Sequence, residues 1–428
     1  MKKFIETHSP IFWVVVSLLS LVFSASVVFS QEEQQGESAA VIFERILADQ
    51  GLEAAVTKFH EMTADSSDLY AIDGRELIYC ARGMAQNWQY EESIALTKLL
   101  EELYPESPWP LMDLGCLYVV TGDKEAAESY LRRAAELNGE FPLPAWILEN
   151  IDEQIEKSRV QIAEQGRYAP GEKTGRQGPY LGEDPPDLEP KIFANGLICS
   201  TSNEYSITFT PDGREIYFSR ANQGTMMCRW EADGWTAPAK IELFGDTLEC
   251  EEANVAPDGK SILFNARPTI RQPRQICRAK RVDNGWRDPE KLFMGMYATA
   301  ALDGSIYYTM PGGPQDGGIG KVEFEGGVYL EPERVGGGVG AEPSAHPYIA
   351  PDESYMVFDR YIPGKNGLYI CFRNADGSWG DALYLHDHYD IPPLVGQATV
   401  TPDGKYLFYS LHDDLYWVST EIIETLRP

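Results

Sequence analysis

Two periodicities divide this chain. From 38 to 165, apolar residues recur three and four apart, the spacing of one helix face. From 187 onward they gather in short runs bounded by Gly, Pro and Asp, the signature of strands and turns. Between them, RYAPGEKTGRQGPYLGEDPPDLEP (167–190) is dense in Gly and Pro and has no apolar period. The pattern predicts a multidomain chain, α then all-β: helices over 38–165, a linker over 166–186, and a β domain over 187–428.

The helical part repeats. Tyr90-Glu91-Glu92-Ser93-Ile94 leads through one helix to Leu103-Tyr104-Pro105, and one 34-residue period later Lys124-Glu125-Ala126-Ala127-Glu128 leads to Leu137-Asn138-Gly139. Gly115 and Ala127 stand where paired helices approach closely, and Gly122 stands where the first helix of a pair ends. With Leu114, Tyr118 and Ala134, they resemble the tetratricopeptide pattern over 74–141. Ile42 to Met62 reads as a further pair with a broken register, and Trp146 to Gln165 as a capping helix. The resemblance implies a small solenoid with a groove for a peptide or helix; the alternative is that it only spaces or docks the second half.

The β part repeats too. TPDGREIYF (210–218) returns as APDGKSILF (256–264), ALDGSIYYT (301–309), APDESYMVF (350–358) and TPDGKYLFY (401–409). Each copy joins a short strand to an aromatic-rich one. A third strand follows, carrying Cys228, Cys277 or Cys371 in three copies, and then a Trp-containing turn and a fourth strand. Four strands per period of 45 to 51 residues mean propeller blades, and five turn aspartates, 212, 258, 303, 352 and 403, count five of them. Pro presets the turn and Gly takes its left-handed position. Leu302 for Pro and Glu353 for Gly should weaken two turns locally. The last blade lacks a fourth strand, and Glu189-Pro190-Lys191-Ile192-Phe193 is expected to supply it and close the ring.

The repeated PDG, the W-x-x-P turns and the lead-in GPYLGEDPPDLEP resemble the TolB-type, WD-like propellers of bacterial envelopes over about 180–428. Members of that family often have six blades, so the resemblance leaves the number at five or six. It implies protein binding for most relatives, while related propellers accompany peptidases and some polysaccharide lyases.

The N-terminus changes the picture of location. Lys2 and Lys3 precede an apolar run from Ile11 to Phe29, which reads as a secretory signal over 1–30 or, uncleaved, as an anchor. The body is then expected outside the cytoplasm, as a periplasmic, secreted or anchored bacterial protein, touching membrane only through that segment. A formal net charge of −30 argues against nucleic acid as a partner. The seven Cys are odd in number, and those at matching places in different blades are too far apart to bridge. They read as small apolar fillers.

Candidate chemistry comes from the blade arithmetic. All five repeated turns fall on one propeller face and read as scaffold, so the variable loops of the opposite face are the expected site. Six residues before each turn aspartate stand Ser206, Glu252, Tyr297, His346 and Gln397, a polar set expected to ring the channel mouth. Glu249 and Glu251 lie beside it, with Arg220, Arg267, Arg271, Arg274 and Arg360 in neighbouring loops. Such a ring could hold a peptide terminus or a sugar acid; the alternative is a hydrated lining, with Arg220, Arg267 and Arg360 as loop anchors. Glu252, His346 and Tyr297 are the first candidates for acid–base roles. His386, His388 and Asp390 in HDHYD are a thin metal candidate, against the reading as a polar surface loop. No nucleophile elbow, phosphate loop or zinc-protease helix occurs, and no cofactor is implied. The sequence thus favours a non-enzymatic binding scaffold for an envelope protein, a peptide or a glycan. A propeller hydrolase or lyase acting on an acidic glycan or a peptide is the rival.

Overall fold

The structure is a computed structural model. It describes residues 36–65, 69–138, 143–221, 223–243, 249–267, 273–283, 285–312, 318–362, 364–389 and 391–428, without the side chains of Glu249 and Arg267. The expected signal segment lies outside these residues. The chain forms two compact units, dividing between Ala163 and Glu164.

In the first unit, helices pair as hairpins: α1 (Ala39–Gln50) with α2 (Leu52–Ala64), α3 (Gly74–Gln86) with α4 (Tyr90–Leu103), and α5 (Pro108–Thr121) with α6 (Lys124–Leu137). Asp73 and Asp123 cap α3 and α6 by accepting from Arg75 N and Ala126 N. Gly122 ends α5 in the left-handed conformation, at φ 81°. Gly115 is the close approach: a Cβ there would meet Leu131 of α6 at 2.6 Å. The expected single capping helix is two, α7 (Leu143–Glu149) and α8 (Ile151–Glu164), broken at Asn150.

The second unit is a five-bladed propeller. Its inner strands are Glu204–Phe209, Glu249–Val255, Met296–Ala300, Ser344–Ile349 and Gly396–Val400, and each pairs antiparallel with the strand after the repeated turn. The ring closes as the sequence implied. Lys191–Ile192 pairs antiparallel with Tyr416–Trp417 as the fourth strand of the last blade. Phe193, Phe408 and Trp417 pack edge-on and tilted around that seam.

Two details differ from expectation, and the cysteines are as expected. The segment expected as a linker is bonded to blade 1: Gly171 N and Thr174 N donate to Ala237 O and Trp235 O, Ala237 N donates to Glu172 O, and the Trp235 indole donates to Gly178 O at 2.7 Å. The fourth strand of that blade is short, and residues 171–178 satisfy the edge it leaves. The Glu353 turn is held rather than weakened. Glu353 takes the left-handed position at φ 58°, and its carboxylate accepts from the Tyr307 hydroxyl at 2.6 Å and pairs with Lys321 at 3.2 Å and with Arg373. Blade 3 is thereby tied to blade 4. The third-strand Cys228, Cys277 and Cys371 are buried, and burial pushes the Cys228 and Cys371 thiols up to about 12; all seven Cys are free thiols.

Candidate functional site

The five residues found six positions before each turn aspartate share one conformation. Ser206, Glu252, Tyr297, His346 and Gln397 all have φ between 46° and 53°, and each sits at a bulge, where the inner strand carries one residue more than its partner. Non-glycine residues enter this region at a cost of about 1 kcal/mol or more, so five in register require compensation. The bulge turns each side chain toward the axis. The compensation begins at the backbone. The N–H of the bulge residue donates to a polar side chain on the second strand of the preceding blade: Glu252 to Ser219 Oγ (2.7 Å), Tyr297 to Asn265 Oδ1 (3.1 Å), His346 to Thr309 Oγ1 (2.8 Å) and Gln397 to Asp359 Oδ1 (3.2 Å). At the closing seam, Glu204 N, two residues before the Ser206 bulge, donates to Asp413 O.

The side chains then meet across the axis. Gln397 Nε2 donates to Glu252 Oε1 at 3.1 Å, and Asn265 donates to the other Glu252 oxygen. The Tyr297 hydroxyl donates to Ala398 O at 2.9 Å, and its ring stands edge-on to His346 at 5.1 Å. His346 Nδ1 lies 3.0 Å from Asp359 Oδ2. Among the described residues, His346 Nε2 has no hydrogen-bond partner, although it is buried. Burial would lower the imidazole pKa, but Asp359 and then Glu252 outweigh it and raise it, with Arg274 opposing. Burial holds the Tyr297 and Tyr361 phenols neutral. All five ring residues are 5% exposed or less. The expected channel mouth is therefore a plug.

The cavity lies at the other end. About 540 Å³ opens on the face of the repeated turns, and all five blades wall it. Four positions before each turn aspartate, two beyond the bulge, Thr208, Asn254, Thr299, Tyr348 and Thr399 form its wall. Neither this ring nor the second-strand caps were singled out from sequence. The same counting from the turn reaches them, −4 giving this ring and +7 giving Ser219, Asn265 and Asp359, while Thr309 stands at +6 in a shorter turn.

The other candidates are anchors. Arg220 donates to Glu204 Oε1 at 2.6 Å and to Ile198 O, and Arg360 donates to Ser344 Oγ at 3.2 Å and to Gly338 O. Arg274 pairs with Glu251 at 3.7 Å. The His386 ring nitrogen bonds Ile391 O at 2.7 Å, and Asp387 pairs with Lys365. Among the described residues no group of three or more His, Cys, Asp or Glu could hold a metal ion. Asp390, Arg271 and the Arg267 side chain lie outside the description.

No family model and no curated protein matches the chain. Solved structures do. A putative TolB from Agrobacterium tumefaciens is 16% identical, with a TM-score of 0.36, over 50% of this chain and 72% of that one. The gluconolactonase XC5397 from Xanthomonas campestris is 11% identical, with a TM-score of 0.36, over 58% and 94%. Hydrazine synthase of Kuenenia stuttgartiensis is 15% identical, with a TM-score of 0.32, over 49% and 55%. Ligand and activity have to be argued from this chain's own residues. A putative TolB thus stands among the structural neighbours of a chain whose described residues form paired helices followed by a five-bladed propeller.

Proposed function

We propose that this chain is an extracytoplasmic binding protein, with helical repeats that dock one partner and a propeller that holds an envelope protein or peptide on its axis. One observation carries the reading. The axis has a blind cavity walled by five blades, while its acid–base side chains are sealed beneath in mutual hydrogen bonds. A catalytic group must reach the reacting atoms, and the wall ring of the cavity is uncharged. Lys2, Lys3 and the apolar run to Phe29 support export or anchoring. No helix among the described residues is long and apolar enough to cross a membrane.

The rival reading, hydrolysis or lysis of an acidic glycan or a peptide, draws on one atom: the unpartnered Nε2 of the His346–Asp359 pair resembles a general base awaiting a proton. Two measurements on the full chain separate them. Crosslinking in envelope extract should capture one protein reproducibly, and peptide and uronate substrates should show no turnover. Turnover that Glu252→Gln and His346→Gln abolish would establish the rival instead.

A further inference from the structure

The turn-face cavity has a composition that selects among ligands. Its wall looks richer in hydrogen bonds than it is. The Thr208 and Thr299 hydroxyls accept from Val255 N and Ile349 N of the next blade, each at 3.2 Å, and Thr299 also donates to Pro347 O. The Tyr348 hydroxyl bonds to that of Tyr355, which leaves the half-buried Asn254 amide and the Thr399 hydroxyl as the wall's main polar groups. The lip is apolar: Pro211, Pro257, Leu302, Pro351 and Pro402, each one residue before a turn aspartate. Leu302, the single departure from Pro, is 61% exposed. The aspartates themselves are engaged, each accepting from the N–H two residues on, at Arg214, Lys260, Ser305, Ser354 and Lys405.

Among the described residues one cation lines the cavity, Arg427, beside one carboxylate, Asp352. Its guanidinium lies over the rings of Tyr355 (5.8 Å) and Phe372 (5.3 Å), which hold it at the lip. Its acidic partner is Glu424, three residues earlier at 2.8 Å, and both side chains are more than a third exposed. Such pairs contribute little and exchange readily for another carboxylate. Glu424 first, and Asp352 at the lip to a smaller extent, raise the guanidinium pKa.

We infer that the cavity binds the carboxy-terminal end of a peptide chain, its carboxylate on Arg427 and its last side chains against the proline–leucine lip. The inference rests on the binding reading above. A glycan brings many hydroxyls, and a wall with two of its three ring threonines already engaged would leave most of them unpaired. A polyanion needs several cations, and this cavity has one. A peptide end needs few hydrogen bonds, apolar contact and a single cationic anchor for its carboxylate. The volume is within the range of small-ligand sites.

The test titrates the full chain with a pool of acetylated tripeptides as free acids, the same pool as amides, and maltotriose. The free acids should bind saturably and the amides about tenfold more weakly, the loss of one charged hydrogen-bonded contact. Arg427→Gln should erase the difference between acid and amide, and Leu302→Asp should weaken both. Both positions are exposed, so folding is preserved and circular dichroism verifies it. Equal binding of acid and amide, binding untouched by both variants, or no binding at millimolar peptide each overturns the inference. Maltotriose binding alone overturns the peptide and leaves a binding protein. Crosslinking without a captured partner strikes the broader reading separately.

Discussion

The two polar rings on the propeller axis are two residues apart in every inner strand, yet they are used in opposite ways. The ring at Ser206, Glu252, Tyr297, His346 and Gln397 is buried and closed on itself through Gln397–Glu252 and Tyr297–Ala398. The ring at Thr208, Asn254, Thr299, Tyr348 and Thr399 is nearly as buried, Asn254 excepted, but it lines the cavity. The residue types alone would suggest the reverse, since carboxylate and imidazole are the usual chemistry of open sites. Backbone decides instead. A bulge at the first ring turns long side chains across the axis, where they meet; at the second, the strand is regular and the side chains, Tyr348 apart, are short. Polar side chains on the axis thus tie blades 2, 3 and 5 together, and the nearly uncharged wall is what a ligand would meet.

The sharpest way to break this comparison is to remove one member of each ring. Glu252→Ala leaves the Asn265 amide and the Gln397 amide buried without their acceptor, and should cost about 3 kcal/mol. Asn254→Ala, in the open ring, should stay within about 0.5 kcal/mol. Urea midpoints of the propeller transition measure both. Equal costs would mean that the plug is not what closes the ring.

How much of this was legible in the sequence follows from what each feature depends on. The turns were, because Pro, Asp and Gly act within four residues. The closing strand was, because Lys191-Ile192 repeats the pattern of other fourth strands. The offset that picked out His346 was legible as well, but not that the five residues share a left-handed φ, since nothing local to Glu252 or Tyr297 demands one. Their caps come from the neighbouring blade, about 30 to 40 residues away, so the partners appear only when blades are set side by side. The cavity was missed because Pro and Thr beside a turn read fully as turn chemistry. The segment 171–178 read as linker because Gly and Pro hide edge pairing that only the short outer strand of blade 1 calls for.

A second prediction sharpens the comparison through pH. His346 has a folded pKa above its ordinary 6.5, because Asp359 and Glu252 face it while Arg274 opposes and Tyr297 and Tyr361 stay neutral. A raised pKa means stability that is complete below about 6.5 and lost as pH rises through the folded value. The melting-temperature gap between the parent chain and His346→Gln should therefore be widest near pH 6 and narrow toward pH 9. A gap constant across that range would show that the imidazole holds the plug by shape alone.

The smallest expected effect separates strain from bonding within the plug itself. Ser206 shares the bulge conformation at φ 52° but has a short side chain that does not reach across the axis. Ser206→Gly relieves about 1 kcal/mol of backbone strain and adds about 0.5–1 kcal/mol of chain entropy, so the two nearly cancel. The melting temperature should move by no more than about 2 °C. Glu252→Gly relieves the same strain but also removes the carboxylate that Asn265 and Gln397 use, so it should remain close to Glu252→Ala. If Ser206→Gly instead costs as much as Glu252→Gly, then the repeated backbone bulge, and not the bonds across the axis, determines the buried ring. The contrast with the open ring two residues away would then be one of strand geometry alone.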